Sequence, residues 1–145
     1  MTDNDLFYVC SLIEFTARKT LNKRGVIVER LGLDGIKRQL KNACVNHCLS
    51  FEQVCYEITE FYSIPMGEFD TITKCKYTIP SFQDIGKLYA ILIESMNDTN
   101  SIPERVYNIF SSFLSDEISK FSTDLYYQNP IYLLACFDEG KIIDY

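Results

Sequence analysis

The sequence of 145 residues contains no tryptophan, one histidine, six glycines and four prolines. Because His47 is the single histidine, any catalytic pair that needs an imidazole base depends on it alone. The glycines do not cluster into a phosphate-binding loop, and no Gly-x-Ser-x-Gly motif is present. We therefore expect a protein with no catalytic activity and no cofactor.

Long hydrophobic runs are also missing. The densest one, LYAILI at 88–93, is far too short to span a bilayer, and the opening MTDNDLFYVC lacks the basic start of a signal peptide. Thiols of proteins that are not secreted stay reduced, so disulfides are not favoured. The sequence thus predicts a cytoplasmic protein that does not bind membranes and whose six cysteines are free.

The composition is that of an ordinary globular domain, with 47% hydrophobic and 23% charged residues. A chain of this length can bury a sizeable core, and no linker, repeat or low-complexity run divides it. Apolar residues recur at helical spacing along almost the whole chain. We expect one helical domain over residues 1–145, an all-α compact bundle of six or seven helices.

Capping signals and apolar spacing predict where the helices lie. Gly32 is a natural C-cap, and Ser50 and Ser101 each begin a capping-box pattern. The helical pattern fails over 63–80, which predicts a long ordered loop, with a short strand around 76–79, that is suited to function by its length. The predicted helices cover about 5–21, 23–31, 34–47, 51–62, 81–96, 102–122 and 131–139.

The segment ACVNHCLSFEQVC, at 43–55, holds three of the six cysteines and the histidine. Helical spacing puts Cys44, His47 and Cys48 on one face, and Cys55 beyond a turn completes a Cys3His set of the kind that binds zinc. The second closely spaced ligand pair of a structural zinc site is incomplete here. Cys44 and His47 also fall on the apolar stripe of their helix, as Cys55 does on the next. We therefore expect core packing, with a metal site or redox chemistry as the alternatives.

The net charge of −6 conceals an uneven distribution of charged residues. Eight basic and two acidic residues lie between Arg18 and Lys41, and the rest of the chain is strongly acidic. One interpretation is a set of solvated helix faces that balance the acidic remainder. The other is a docking surface for an anionic partner.

A glycine-containing turn within this basic stretch is compatible with a helix-turn-helix over 23–42. A DNA-binding regulator is therefore the alternative function. The sequence pI of about 4.7 weighs against it, because an acidic protein repels phosphate, and the basic residues lie on both sides of the apolar stripe. The candidate nucleic-acid contacts are Lys23, Arg24, Lys37, Arg38 and Lys41, together with Gln39 and Asn42.

Aromatic residues crowd the C-terminal stretch FSTDLYYQNPIYLLACFDEG. Tyrosine suits interfaces because its ring is apolar and its tip is polar. The alternative is that these rings anchor the last helix on the bundle. We favour a non-catalytic protein that binds another protein, and a homo-oligomer is also compatible with the sequence. The candidate partner-binding residues are Tyr126, Tyr127, Tyr132 and Phe137.

Two segments of the first half, LFYVCSLIEFTARKTLNKRGVIVERLG and FEQVCYEITEFY, flank a predicted helix that ends at His47. In this pattern, residues 5–62 resemble a short, functionally uncharacterised family of bacterial helical proteins. Members of that family tend to be encoded beside ADP-ribosyltransferase-like proteins, in an arrangement similar to toxin–antitoxin modules. The resemblance implies an antitoxin-like or accessory partner of a bacterial enzyme, and it assigns no site residues.

Overall fold

The computed structural model describes residues 3–144, and this part of the chain contains helices and no strand. The all-α prediction is confirmed. None of the described helices combines the length and the apolar character needed to cross a membrane. The helices are α1 (Asp3–Thr20), α2 (Arg24–Asn46), α3 (Phe51–Phe61), α4 (Phe82–Ser95), α5 (Ile102–Phe110), α6 (Phe113–Ile118) and α7 (Pro130–Glu139), with a 3-10 turn at Leu125–Tyr127.

Helix α1 is the central element of the bundle. It packs along α4 and also contacts α2 and α3. Its apolar residues at helical spacing are buried, with Val9, Cys10 and Ile13 at the core. The contact with α4 is so close at Gly86 that a Cβ there would overlap the Ser11 side chain. The α1–α4 pair therefore forms the base on which the other helices pack.

Helix α2 contains a sharp kink at Gly32, where two separate helices were expected. Gly32 has φ 68° and ψ 175°, a conformation that is essentially restricted to glycine. The sequence therefore places the break correctly, but no loop separates the two halves. A single residue redirects the helix, and the following half, 33–46, continues directly from it.

Two other boundaries differ from the prediction. The helix expected over 102–122 is divided into α5 and α6, because the hydroxyls of Ser111 and Ser112 donate to carbonyls of the preceding turn at 2.5 and 2.7 Å. The short strand expected at 76–79 is wrong, since no strand occurs in the described residues.

The 63–80 loop is ordered and lies against the end of α1. The side-chain amide of Asn22 donates to the carbonyl oxygen of Pro65 at 2.7 Å. The backbone N–H of Gly67 donates at 2.8 Å to the carbonyl oxygen of Thr20, the last residue of α1. The backbone N–H of Phe69 donates at 2.9 Å to the carbonyl oxygen of Leu21. Residues 65–69 of this loop are thus held by hydrogen bonds to the end of α1 and to the two residues after it.

A buried salt bridge joins α1 to the first turn of α2. Arg24 Nε lies 2.6 Å from Glu14 Oε1, and both residues are almost completely buried. Arg24 Nη1 also donates to the carbonyl oxygen of Ser115 at 2.6 Å, to Ser119 Oγ at 2.7 Å and to the Tyr89 hydroxyl at 3.2 Å. One guanidinium therefore ties together α1, α2, α4 and the α6 region.

The local electrostatics favour the charged form of Arg24. Burial, the largest single influence, would lower the pKa of Arg24, but the combined effect of the Glu14 carboxylate, which also accepts its hydrogen bond, of Tyr89 and of Asp116 raises that pKa. Burial raises the pKa of Tyr89, so its hydroxyl remains a neutral acceptor for the guanidinium. A second arginine also pairs with Glu14. Arg18 Nε donates to Glu14 Oε2 at 2.8 Å, and Arg18 Nη2 donates to the carbonyl oxygen of Pro80 at 2.7 Å.

We expect Glu14→Gln to lower the free energy of unfolding by about 3–5 kcal/mol, because it leaves the Arg24 charge buried without a counter-ion. Urea unfolding followed by circular dichroism measures the loss. The control is Lys120→Ala, which removes an exposed ion pair with Glu117 and should cost at most about 1 kcal/mol. Similar losses in the two variants would contradict a structural role for the buried pair.

Gly32→Ala should lower the free energy of unfolding by about 1–3 kcal/mol through backbone strain alone. A Cβ at this position would meet no atom within 4 Å, so no steric clash contributes. Gly140→Ala is the matched control, since Gly140 ends α7 with φ 75° and ψ 16°, a conformation that costs alanine about 1 kcal/mol. A Gly32→Ala loss no larger than that of the control would show that the kink does not require glycine.

Candidate functional site

The four residues of the sequence-derived zinc set are not brought together. Cys44, His47 and Cys48 are exposed, whereas Cys55 is buried, with its Sγ 3.9 Å from Thr59 Oγ1. The described residues contain no group of three or more His, Cys, Asp or Glu side chains placed to hold a metal ion.

Core packing of Cys44 and His47 was the favoured expectation, and it is wrong. Leu40 and Ala43 are the last buried residues of α2, and the residues of the helix after them are exposed or partly exposed. The His47 ring instead lies against Tyr8, with 4.5 Å between ring centroids. The expectation that Cys55 is buried is confirmed.

The basic residues proposed to contact DNA fall into different environments. Lys37, Arg38 and Lys41 are exposed on α2, and Lys23 forms a surface ion pair of 3.4 Å with Asp116. Arg24 has to be removed from this set, because it is 2% exposed and its guanidinium is occupied by Glu14.

The turn of the predicted helix-turn-helix is also absent from this segment. Gly32 alone joins the two halves of α2, where that motif has a turn of three to four residues. The two halves therefore do not have the connection expected of a DNA-reading helix pair.

The C-terminal aromatic residues divide between anchoring and exposure. Tyr126, Tyr132 and Phe137 are half-buried against the core, and the Tyr132 hydroxyl donates to the carbonyl oxygen of Ile143 at 2.7 Å. Tyr127 is the exposed member of the four, at 69%. These rings hold the last helix in place and do not form one continuous surface.

A groove of about 220 Å³ lies between the second half of α2 and α3. Ser50 begins α3 by accepting a hydrogen bond from the backbone N–H of Gln53 at 3.1 Å. We call this the α2–α3 groove. Its α2 wall consists of Arg38, Gln39, Asn42 and Asn46, and its α3 wall of Val54, Glu57, Ile58, Phe61 and Tyr62.

The base of the α2–α3 groove contains a hydrogen-bond acceptor without a donor. Val54 and Ile58 are buried there, and Gln39 is 6% exposed. The Gln39 Oε1 atom is buried and accepts no hydrogen bond from the described part of the chain. Leaving such an acceptor unpaired costs about 1–3 kcal/mol, which a donor supplied by a ligand would offset.

Asn42 and Asn46 form the upper α2 wall. Both are partly exposed, and neither side-chain amide makes a hydrogen bond within the described residues. Their positions are four residues apart, which is about 6 Å along a helix. Alternate residues of an extended chain repeat at about 6.7 Å. Two asparagines at this spacing each offer a donor and an acceptor to the backbone amides of alternate residues of an extended peptide.

An exposed aromatic ring closes one end of the groove. Phe61 is 68% exposed, although helical spacing aligns it with the buried Val54 and Ile58. Arg38 Cζ lies 5.2 Å from its ring centroid, and the Tyr62 ring packs edge-on at 4.8 Å. The guanidinium and the two rings together form a platform for an apolar or aromatic side chain.

The charges along the α2–α3 groove nearly cancel. Arg38 is opposed by Glu57, which accepts a hydrogen bond from Gln53 Nε2 at 2.9 Å. Burial, with a smaller contribution from Glu57, raises the pKa of nearby Tyr8 to about 12, so that ring remains neutral. Hydrogen bonding and ring contacts are therefore the main interactions that this groove offers.

Sequence reasoning did not identify Asn46, Phe61 or Tyr62 as site residues. The available signal was the pair of uncharged amides at i and i+4 within a helix otherwise rich in charge. Comparison of the chain with models of protein families, with curated proteins and with solved structures gives no match.

The thiols should differ sharply in reactivity toward a disulfide reagent under native conditions. Cys44 and Cys48 are exposed and should react rapidly, and half-buried Cys75 more slowly. Cys10, Cys55 and Cys136 are buried and should react only after denaturation; burial, aided by the charge of Glu94, also raises the pKa of Cys10. Spectroscopic thiol counting with and without urea measures this, and rapid release of more than three equivalents from the native protein would contradict it.

Proposed function

We propose that the protein is a non-catalytic interaction module that binds an extended segment of a partner protein in the α2–α3 groove. The observation that carries the proposal is the row of amides formed by Gln39, Asn42 and Asn46. None of the three has a hydrogen-bond partner within the described residues, and the row ends at the exposed ring of Phe61. Such a row recognises a peptide backbone, and the ring platform selects a side chain.

The chemistry of the groove favours a peptide over a nucleic acid. A phosphate backbone is attracted by clustered positive charge, whereas Arg38 is balanced by Glu57 here. Side-chain amides instead match the alternating donors and acceptors of an extended polypeptide. A volume of about 220 Å³ suits a few residues of such a segment.

The resemblance of residues 5–62 to proteins encoded beside ADP-ribosyltransferase-like enzymes supports an enzyme as the partner. All residues of the α2–α3 groove lie within that part of the chain. We propose an antitoxin-like or accessory role toward a bacterial enzyme, carried out in the cytoplasm. The six unpaired cysteines are compatible with that reducing compartment.

Two groove variants test the proposal: Phe61→Ser, and the double substitution Asn42→Ala with Asn46→Ala. Tyr56→Ser is the matched control, because Tyr56 lies on the same helix, is 66% exposed and does not line the groove. Tagged proteins are purified from the source cells, and partners are quantified by mass spectrometry. We expect a stoichiometric partner with the wild type and the control, and a loss of at least about tenfold in affinity with each groove variant.

Hydrogen exchange of the purified complex should show protection at 38–46 and 54–62. Retention of the partner by both groove variants, or repeated recovery of the protein alone, would contradict the proposal. Light scattering of the purified protein gives a further control. If the wild type forms a homodimer that Phe61→Ser abolishes, the groove binds a second copy of this chain, and the proposal of a heterologous partner is overturned.

A further inference from the structure

A second open cleft, of about 390 Å³, lies between the 63–80 loop and the segment that follows α6. Three lysines, Lys74, Lys76 and Lys120, line it, and the carboxylate of Asp70 is the single acidic group among its lining residues. We call it the lysine cleft. This cationic cluster lies outside the basic stretch between Arg18 and Lys41, in a chain whose net charge is −6.

The lysines are available to bind a ligand. Lys74 and Lys76 are exposed, and neither makes a hydrogen bond or ion pair within the described residues. Lys120 Nζ pairs with Glu117 at 2.9 Å, but both side chains are partly exposed to solvent. An exposed pair of this kind contributes little and exchanges readily for a stronger anion.

Asp70 is engaged by its own turn. Its carboxylate accepts hydrogen bonds from the backbone N–H groups of Ile72 at 2.9 Å and Thr73 at 3.1 Å, and from the Thr73 hydroxyl. The Thr73 hydroxyl and then the backbone donors lower the pKa of Asp70. The carboxylate therefore shapes the turn that presents Lys74, and the three lysines still exceed the two carboxylates of Asp70 and Glu117.

Two guanidinium groups lie close to the cleft. The buried ring of Phe121 lines both the lysine cleft and a small interior cavity that also contains Glu14, Arg18 and Arg24. Two guanidinium groups share the one carboxylate of Glu14, and Arg18 Cζ lies 5.6 Å from the Phe121 centroid.

We propose that the lysine cleft binds a phosphate-bearing small molecule, independently of the α2–α3 groove. The phosphoryl oxygens would bind the three ammonium groups, with the hydroxyls of Thr71 and Ser122 as additional donors from the lining. The Tyr77 ring, 65% exposed at the edge of the cleft, offers a stacking surface for a planar group attached to the phosphate.

The proposal is tested by titrating the full chain with inorganic pyrophosphate and, separately, with ADP, using amide NMR at low ionic strength. We expect saturable shifts at 70–77 and 120–122. Exchanging Lys74, Lys76 and Lys120 for Gln should weaken binding by at least about tenfold, since each exposed contact adds up to about fivefold. The three substituted side chains are exposed, so the fold should be retained.

The matched control exchanges Lys37, Lys41 and Lys87 for Gln, which removes the same total charge outside both the lysine cleft and the α2–α3 groove and should change the affinity by less than about twofold. If ADP binds more tightly than pyrophosphate and Tyr77→Ala reduces its affinity to the pyrophosphate level, the ligand is of the nucleotide type. If ADP and pyrophosphate bind with equal affinity, the cleft recognises the phosphoryl group alone. Absence of saturable binding, or equal weakening by the two triple variants, would overturn the proposal.

Discussion

The salt bridge between Glu14 and Arg24 is the interaction on which the arrangement of the helices depends. A charged pair in the interior is tolerated only when the remaining hydrogen-bonding groups are also satisfied. Here α4 and the α6 region supply those groups through Tyr89, Ser115 and Ser119. The requirement to satisfy one guanidinium therefore fixes where four parts of the chain meet, whereas apolar packing alone would allow them to slide.

The two proposed ligand surfaces differ because the charges are distributed differently around them. The α2–α3 groove is lined by one cation, Arg38, and one carboxylate, Glu57, so the proposal for it rests on directional hydrogen bonds. At the lysine cleft, three lysines exceed the carboxylates of Asp70 and Glu117. The two proposals thus assign a polypeptide to the neutral surface and phosphate to the cationic one.

The helical fold follows from the sequence because apolar periodicity reports directly which side of a helix is buried, as the stripe of α1 illustrates. Periodicity does not show where a helix extends past the edge of the core. Cys44 is therefore exposed against expectation, and Phe61 is exposed although its spacing aligns it with buried residues of α3. The division of α5 from α6 depends on serine hydroxyls that bond to nearby carbonyls, and the pairing of Arg24 depends on partners far away in the chain. The α2–α3 groove cannot be read from the sequence either, because residues of two separate helices form it together.

The kink at Gly32 fixes the rotational phase of the second half of α2. Each residue of an α-helix turns the chain by about 100°, and no flexible segment lies between Gly32 and Asn42 to absorb an added or deleted residue. One insertion there would rotate Asn42 and Asn46 away from α3 while leaving the helix intact. Evolutionary change in chain length is therefore far less tolerable in this stretch than at surface loops such as 97–100.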